Sequence, residues 1–443
     1  MKSIGIDIGT TTISFNVVDA SGPKVWRKET LKNGSFLETS HPWERVQNVD
    51  TIVGKVLSTL DQLWGEDVCS IGLTGQMHGI VCVNDQGKAV SPLYTWQDGR
   101  GNLPEFQGKS ICQLLGEQGV KVTAGYGAVT HLYNLKKGLV PFDAVSFCTI
   151  ADYLGMVLTG RKRPLLHASQ AASLGLFDGE GCAFRRDIAC DWGMDPSFFP
   201  EVTQELEILG EYRGVPVSVS LGDNQASFLG SVRQAEETVL VNVGTGAQIS
   251  VLSPSYVECP GIEARPFVNG TALLVGATLC GGAAYAALEN FFREYAVAAG
   301  APDVPQYGVM KALLDTQPAP QEVWKVRTTF AGTRGDPQAA GAVEGIRREN
   351  FHPAWFIRGV LAGMAEELFG MYAKLEKQEQ ITRKRLVASG NGVRQNPVLQ
   401  QILSQRFQMP LEVVENQEEA AFGGAVSALA AIGELSLEQW MGF

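Results

Sequence analysis

The sequence predicts an α/β protein of two similar lobes, and three observations predict it. A strand-turn-strand pattern occurs twice, half the chain apart. Strand-like and helix-like runs alternate through both halves, which implies sheets covered by helices. Glycine is abundant, at 50 of 443 residues, so many backbone positions turn sharply or approach a ligand closely. At roughly 150 residues per domain, the length accommodates two to three domains. Hydrophobic residues at 45% and charged residues at 19% are proportions of a folded globular chain, which excludes wholesale disorder, coiled coil and collagen-like structure.

The first copy of the repeated pattern is Ile4-Gly5-Ile6-Asp7-Ile8-Gly9-Thr10-Thr11-Thr12-Ile13-Ser14, and the second is Val239-Leu240-Val241-Asn242-Val243-Gly244-Thr245-Gly246-Ala247-Gln248-Ile249. Asp7 of the first falls at Asn242 of the second. Each copy alternates apolar residues around a polar one, breaks at Gly-Thr and resumes an apolar rhythm, as a strand, a tight turn and a strand do. Residues 51–64 carry apolar side chains at helical spacing, and residues 70–83 form a strand-like run interrupted by Gly75-Gln76-Met77-His78-Gly79. In the second half, residues 282–295, 356–377 and 397–407 read as helices, and Leu386-Val387-Ala388 reads as a strand ending in the loop Ser389-Gly390-Asn391-Gly392. The boundary falls near residues 212–221, where Gly214-Val215-Pro216-Val217 precedes another strand-like stretch. Domains of residues 1–220 and 221–443 follow.

The formal charge is −11 and the pI near 5.1, with no long Lys/Arg run, so the electrostatic footprint of a nucleic-acid partner is missing. No stretch of about 18 apolar residues occurs, which excludes a membrane-spanning helix. The eight cysteines form no CxxC pair and scatter among apolar neighbours, a pattern of reduced, mostly buried thiols. Met1 and Lys2 lead straight into the first strand, leaving no room for the apolar segment of a signal peptide, so the expected location is cytoplasmic. The oligomeric state stays open, a homodimer included.

Phosphate oxygens need converging N–H and hydroxyl donors, and a Gly-Thr turn between strands offers both without bulk. Gly9, Thr10 and Thr11 in the first copy, with Gly244 and Thr245 in the second, therefore read as paired phosphate clamps, although either alone is also an ordinary hairpin turn. Asp7, at the strand end, is suited to holding Mg²⁺ through water. No GxxxxGK[ST] occurs, and no strand leads into a complete GxGxxG, so P-loop and Rossmann nucleotide binding lose support. Two lobes that each open with a phosphate-binding turn describe two actin-like ATPase (RNase H-like) domains, with the active site in the cleft between them.

Six motifs in order make the chain resemble the FGGY family of carbohydrate kinases over essentially its whole length: Gly5-Ile6-Asp7-Ile8-Gly9-Thr10-Thr11, Gly72-Leu73-Thr74-Gly75-Gln76-Met77-His78-Gly79, Trp96-Gln97-Asp98-Gly99-Arg100, Gly222-Asp223-Asn224-Gln225-Ala226, Val243-Gly244-Thr245-Gly246 and Ser389-Gly390-Asn391-Gly392-Val393-Arg394-Gln395-Asn396. Trp96-Gln97-Asp98-Gly99-Arg100, Thr123-Ala124-Gly125-Tyr126-Gly127 and Gln170-Ala171-Ala172-Ser173 look most like its sedoheptulokinase branch, with the xylulose kinases next. The resemblance implies ATP as phosphoryl donor, Mg²⁺ with it, and a small ketose as acceptor. It implies Asp223 as the general base that takes the proton of the attacking sugar hydroxyl; the alternative use of that carboxylate is a helix N-cap, compatible with the first. It also implies sugar contact for Gln76, Met77, His78, Trp96 and Asp98, where Asp98 before Gly99-Arg100 equally reads as a turn with a local ion pair. Gly282, Gly392 and Asn396 match positions around the nucleotide, with helix packing and an N-cap at Asn396 as structural alternatives.

The chain departs from the family pattern at Gly246, where a serine is common, and at Asn391, where a third glycine is usual. Thr130-His131-Leu132-Tyr133 and His167-Ala168-Ser169 also differ from it, and both stretches are expected to face the sugar. The reading is thus an ATP-dependent ketose kinase, with sedoheptulose the first choice of substrate and D-xylulose the second. The rival from another class is a non-catalytic sugar sensor or actin-like ATP switch, which needs neither Asp223 nor Met77-His78. A chaperone-type ATPase would need a long extension after the second lobe, whereas the chain ends at Phe443.

Overall fold

Two apolar hairpins seed two sheets. The computed structural model describes residues 1–316, 324–333, 336, 338–379, 382–416 and 418–442. In it β1 (Lys2–Ile8) and β2 (Thr12–Asp19) pair antiparallel with Asp7 opposite Ser14, and β3 (Val25–Lys32) extends the edge. Helix α1 (Val49–Leu63) starts at Asn48, whose side chain accepts from the Thr51 amide, and leads to β4 (Val68–Gly75), parallel to β1. The interruption expected after Gly75 is real, and a separate strand resumes at Val81–Asn84. After the short helix α2 (Ala168–Ser173) come β5 (Ile208–Tyr212), β6 (Val215–Ser218) and the two-residue β7 (Leu221–Gly222). The sheet order is β5-β6-β4-β1-β2-β3, with β7 also beside β4.

Helix α3 (Asp223–Ser231) carries the chain onward to β8 (Thr238–Val243) and β9 (Ala247–Ser253), an antiparallel pair with Asn242 opposite Gln248. Strands β10 (Glu263–Pro266) and β11 (Ala272–Thr278) precede α4 (Gly282–Ala298) and α5 (Pro353–Glu379). Strand β12 (Arg385–Ser389) lies parallel to β8, and β13 (Leu411–Val413) completes the order β10-β11-β9-β8-β12-β13. The sequence echo is therefore an echo of hydrogen bonding, since β1 and β8 each have an antiparallel hairpin partner on one side and a parallel strand on the other. One expectation is corrected here. Residues after β12 do not form a plain loop, because Gly390, at φ +88°, ends the strand and Asn391–Arg394 closes a helical turn, α6. Helix α7 (Pro397–Phe407) has the expected bounds.

Helix α8 (Glu419–Ala431), near the end of the chain, returns to the first sheet, lying across β1 and β4 and against α3. Its Ala-Ala-Phe-Gly-Gly-Ala run makes this possible by bringing backbone against backbone. A Cβ on Gly72 would stand 1.7 Å from the Gly424 carbonyl oxygen, and one on Gly5 would stand 1.8 Å from that of Ala421. Around α3 and α8 an apolar cluster that includes Val18, Leu221, Phe228, Leu240, Phe267 and Phe422 ties the lobes together. Gly72→Ala has no flexible side chain to push aside, so it is expected to cost about 3 kcal/mol, read as a lowered urea midpoint.

Candidate active site

Three strand ends define the floor of the site. Thr74 of β4 is flanked by Asp7 of β1 on one side and Leu221 of β7 on the other, so Asp223 emerges two residues further along, above the same edge. It is the first residue of α3, with Gly222 in the cap position and no side-chain capping bond. The N-cap use of Asp223 is thus not made, which leaves the carboxylate at the positive end of a helix. Burial raises its pKa, and the Arg265 guanidinium and the Asn224 amide pull it back. Asp7 is pushed up to about 8 by burial, then by the charges of Asp223 and Glu418. Two carboxylates so placed cannot both ionise cheaply. Asp7 Oδ1 is buried without a hydrogen-bond partner, as are Asn224 Oδ1, Gln225 Oε1 and Gln170 Oε1 around β7 and α3.

Met77 lies against Gly222, its Sδ 2.9 Å from where a Cβ there would be, so it adjoins Asp223. His78 follows in the left-handed region at φ +73°, a conformation that costs energy for a residue other than glycine and is found at functional sites. Its ring stacks on Tyr126 at 4.8 Å. Nδ1 sits 2.7 Å from the Ser173 carbonyl oxygen and so carries the proton, and the His78 amide donates to Ser173 Oγ at 3.0 Å. Trp96 is 48% exposed, with its indole N–H donating to Thr10 Oγ1 at 2.9 Å.

Gln76 is placed differently from the expectation, and Asp98 takes the second of its two readings. Gln76 is buried; its Nε2 donates to Gln47 Oε1 at 2.9 Å and its Oε1 accepts from Thr10 Oγ1 at 3.3 Å. It braces the first turn from behind. Asp98 is 1% exposed. Its Oδ1 accepts from the Arg100 amide and Nε at 3.1 and 2.7 Å, and its Oδ2 accepts from the Arg45 amide and Arg100 Nη2 at 3.1 Å each. Those four bonds fill the lone pairs of the carboxylate, so Asp98 forms the local ion pair and has no capacity left for a sugar hydroxyl. His131 and His167 are corrections too. His131 is packed between Phe147 and Phe198, and His167 is fully buried, both with pKa lowered to about 4 by burial. Neither ring is exposed.

The residues expected around the nucleotide lie about the carboxyl end of β8. The Gly244 carbonyl accepts from the Gly282 amide at 2.8 Å and the Thr245 carbonyl from the Ala283 amide at 2.9 Å, so the turn is pinned to the start of α4. A Cβ on Gly282 would stand 2.5 Å from the Gly244 oxygen, and one on Gly392 would stand 2.7 Å from Val243 Cγ1. Asn396 caps α7 by accepting from the Leu399 amide at 3.0 Å. Packing and capping thus operate at all three positions. In the first lobe Gly9 is held by Asn33 Nδ2 at 2.7 Å and the Thr10 carbonyl by Gln47 Nε2 at 2.9 Å, while Thr11 is exposed. Asn242, the counterpart of Asp7, donates to Ser389 Oγ at 2.8 Å.

Two domain models of one family cover most of this frame. Residues 3–230 match the N-terminal domain of the FGGY family of carbohydrate kinases, and residues 239–432 match its C-terminal domain. The chain belongs to the FGGY family of carbohydrate kinases. It is accordingly a phosphotransferase with an alcohol group as acceptor and ATP as donor. Human sedoheptulokinase is 27% identical, with 96% of this chain and 97% of that protein covered. A xylulose kinase of Lactococcus lactis is 24% identical, with 97% and 87% covered. In fold, this FGGY kinase is similar to the xylulose kinase from Rhodospirillum rubrum, with a TM-score of 0.85, 21% identity and 99% and 92% of the two chains covered. It is also similar to the gluconate kinase from Lactobacillus acidophilus, with a TM-score of 0.82, 19% identity and the same coverage. The two actin-like α/β domains are those of FGGY kinases.

Two charged residues of the kinase were not singled out from its sequence. Arg265, on β10, bears on Asp223 from the second lobe, with an ion pair to Glu263 at 2.7 Å and Nε buried without a partner. A charged pair, Glu263 and Arg265, on a strand of four residues was the available signal. Glu418 bears on Asp7 from the start of α8, and only the return of that helix brings it there.

Proposed function

We propose that this kinase transfers the γ-phosphoryl group of ATP to a terminal hydroxyl of a ketose, with sedoheptulose as the preferred substrate and Asp223 as the general base. The observation that carries the proposal is the position of Asp223, at a helix start beside Met77 and Asp7 and under the influence of Arg265. As the sugar oxygen attacks the γ-phosphorus its proton passes to the Asp223 carboxylate, and ADP leaves. Holding the carboxylate at the α3 N-terminus favours its charged, proton-accepting form. Met77 supports the apolar side of the carbon chain, while His78 and Trp96 bound the acceptor pocket.

The donor set fits Mg²⁺. Asp7 has a buried oxygen with no partner and a carboxyl held protonated by its surroundings near pH 7, which a cation would reverse. Asp7 would hold Mg²⁺ through water, and the ion would offset the charge of the β- and γ-phosphates. The turns at Gly9-Thr10-Thr11 and Gly244-Thr245, with Gly282, Gly392 and Asn396, line the nucleotide in this reading. The lobes, residues 1–220 and 221–443, close around both substrates and exclude water. A cytoplasmic location belongs to the same reading.

The test is ADP release with Mg²⁺ across sedoheptulose, D-xylulose, ribulose, fructose and glycerol. Sedoheptulose is expected to give the highest kcat/KM, by at least about tenfold, since a site built to bond hydroxyls discriminates against analogues that leave its groups unpaired. Preference for D-xylulose would overturn the substrate assignment alone. Release no faster than without sugar for all five would overturn the ketose assignment and favour the sensor or switch reading.

A further inference from the structure

The strand that presents Asp223 is only two residues long, too short for a sheet ladder to hold firmly. Side chains hold it instead, one on each of the three residues that precede Asp223. Ser220 Oγ donates to Asp152 Oδ1 at 2.5 Å. The Leu221 carbonyl accepts from Gln170 Nε2 at 3.0 Å. The Gly222 amide donates to Ser169 Oγ at 3.0 Å. Asp152, Gln170 and Ser169 are all buried, where a satisfied polar network rigidifies what it joins.

Two of these three ties come from α2, and the network continues behind it. The Ser169 amide donates to His167 Nδ1 at 3.1 Å, so that nitrogen is an acceptor, and Ser169 Oγ lies 2.8 Å from it. The Ser169 hydroxyl proton therefore points at His167, and its lone pair accepts the Gly222 amide. His167 Nε2 carries the remaining ring proton and faces the Gln204 carbonyl at 3.2 Å. At its other end α2 holds His78: Ser173 Oγ accepts the His78 amide and donates to the Gln170 carbonyl at 2.7 Å, while the Ser173 carbonyl accepts His78 Nδ1.

We infer that α2 is a positioning element that sets Asp223 and His78 relative to each other, Ser169 and Gln170 fixing the base and Ser173 fixing the sugar-side histidine. The inference rests on the proposed roles of those two residues. One rigid helical turn bonded at both ends holds the acceptor hydroxyl and the proton acceptor in register, and such positioning governs rate steeply, a misplacement of about 1 Å costing up to about a hundredfold. The family-atypical His167 completes the anchor as a neutral imidazole, its pKa lowered to about 4 by burial.

The two ends predict different kinetic signatures. Ser169→Ala is expected to lower kcat about tenfold with the KM for ketose and for ATP within about twofold of the wild type, and Ser169→Thr, which keeps the hydroxyl, to restore most of it. Ser173→Ala is expected to raise the ketose KM about tenfold with the ATP KM unchanged. Gln170→Met, which removes a separate tie while keeping the volume, serves as the second variant should Ser169→Ala fail to fold, and is expected to behave as Ser169→Ala does. Wild-type kcat in both Ser169→Ala and Gln170→Met, or parallel changes in kcat and in both KM values in all variants, would overturn the inference. Asp223→Asn run alongside separates the two failures, because turnover in that variant removes the base assignment whatever the α2 variants do.

Discussion

Asp223→Asn lowers kcat by about three orders of magnitude and leaves the KM for ATP within about twofold. A positioned general base contributes between about a hundredfold and about ten-thousandfold, and a loss of this size lies in the middle of that range. The amide keeps the shape of the carboxylate but cannot accept the hydroxyl proton. Fold is spared because Gly222, not the Asp223 side chain, occupies the cap position of α3. Single-turnover phosphoryl transfer and nucleotide binding, measured on the same preparation, separate chemistry from affinity, and near-normal transfer would falsify the assignment. The pH dependence offers a second reading. The base must be ionised, so activity rises with pH through the pKa of Asp223, which burial raises and Arg265 lowers. Arg265→Met removes the lowering influence and is therefore expected to move the acid limb of kcat/KM to higher pH, and an unmoved limb would count against Arg265 as the tuning charge.

Asp7→Asn produces the second large effect, of opposite sign in activity and stability. Activity falls about a hundredfold, the usual scale for losing one electrostatic contact to the transferring group, through loss of the carboxylate proposed to hold Mg²⁺. Stability of the ligand-free protein rises instead. In the folded chain the Asp7 carboxyl is pushed up to about 8, above its ordinary value of 3.8. Its contribution to stability is therefore fully present below about pH 4 and is lost as the pH rises through about 8, because the unfolded state ionises first. Asparagine carries no such dependence. The variant is expected to melt about 5 °C above the wild type at pH 8, with the gap closing towards pH 4. Comparing variant with wild type isolates Asp7 from Asp152, whose pKa burial raises to about 7 and whose loss of stability follows the same direction. A gap independent of pH would remove the buried, proton-holding carboxylate from the picture.

Much of the architecture was legible because it is written locally. Apolar alternation around Asp7 and Asn242, broken by Gly-Thr, records two hairpins, with Asp7 opposite Ser14 and Asn242 opposite Gln248, the second turn being one residue shorter than the first. Helical spacing marked Pro397–Phe407 at its observed bounds, since Asn396 and the proline are themselves the start signal. The positions of two candidate residues were legible from local sequence, Asp223 because it opens a helix directly after Gly222 and Met77 because it falls in the break between two strands. Where side-chain partners decide the matter, neighbouring residues carry no signal. Asp98 is filled by Arg100 and Arg45, Gln76 bonds to Gln47 and Thr10, and His131 packs between two phenylalanine rings.

By itself the sequence determined two duplicated α/β lobes, the Gly-Thr turns that open them and the family they belong to, because strand period, turn chemistry and motif order are properties of neighbouring residues. Only the tertiary structure decided which polar side chains remain turned towards a ligand and which are spent on one another. It alone brought Arg265 to Asp223, Glu418 to Asp7, and α8 across the first sheet. A hydrogen bond or a buried charge depends on a partner that is distant along the chain, and only folding brings the two together.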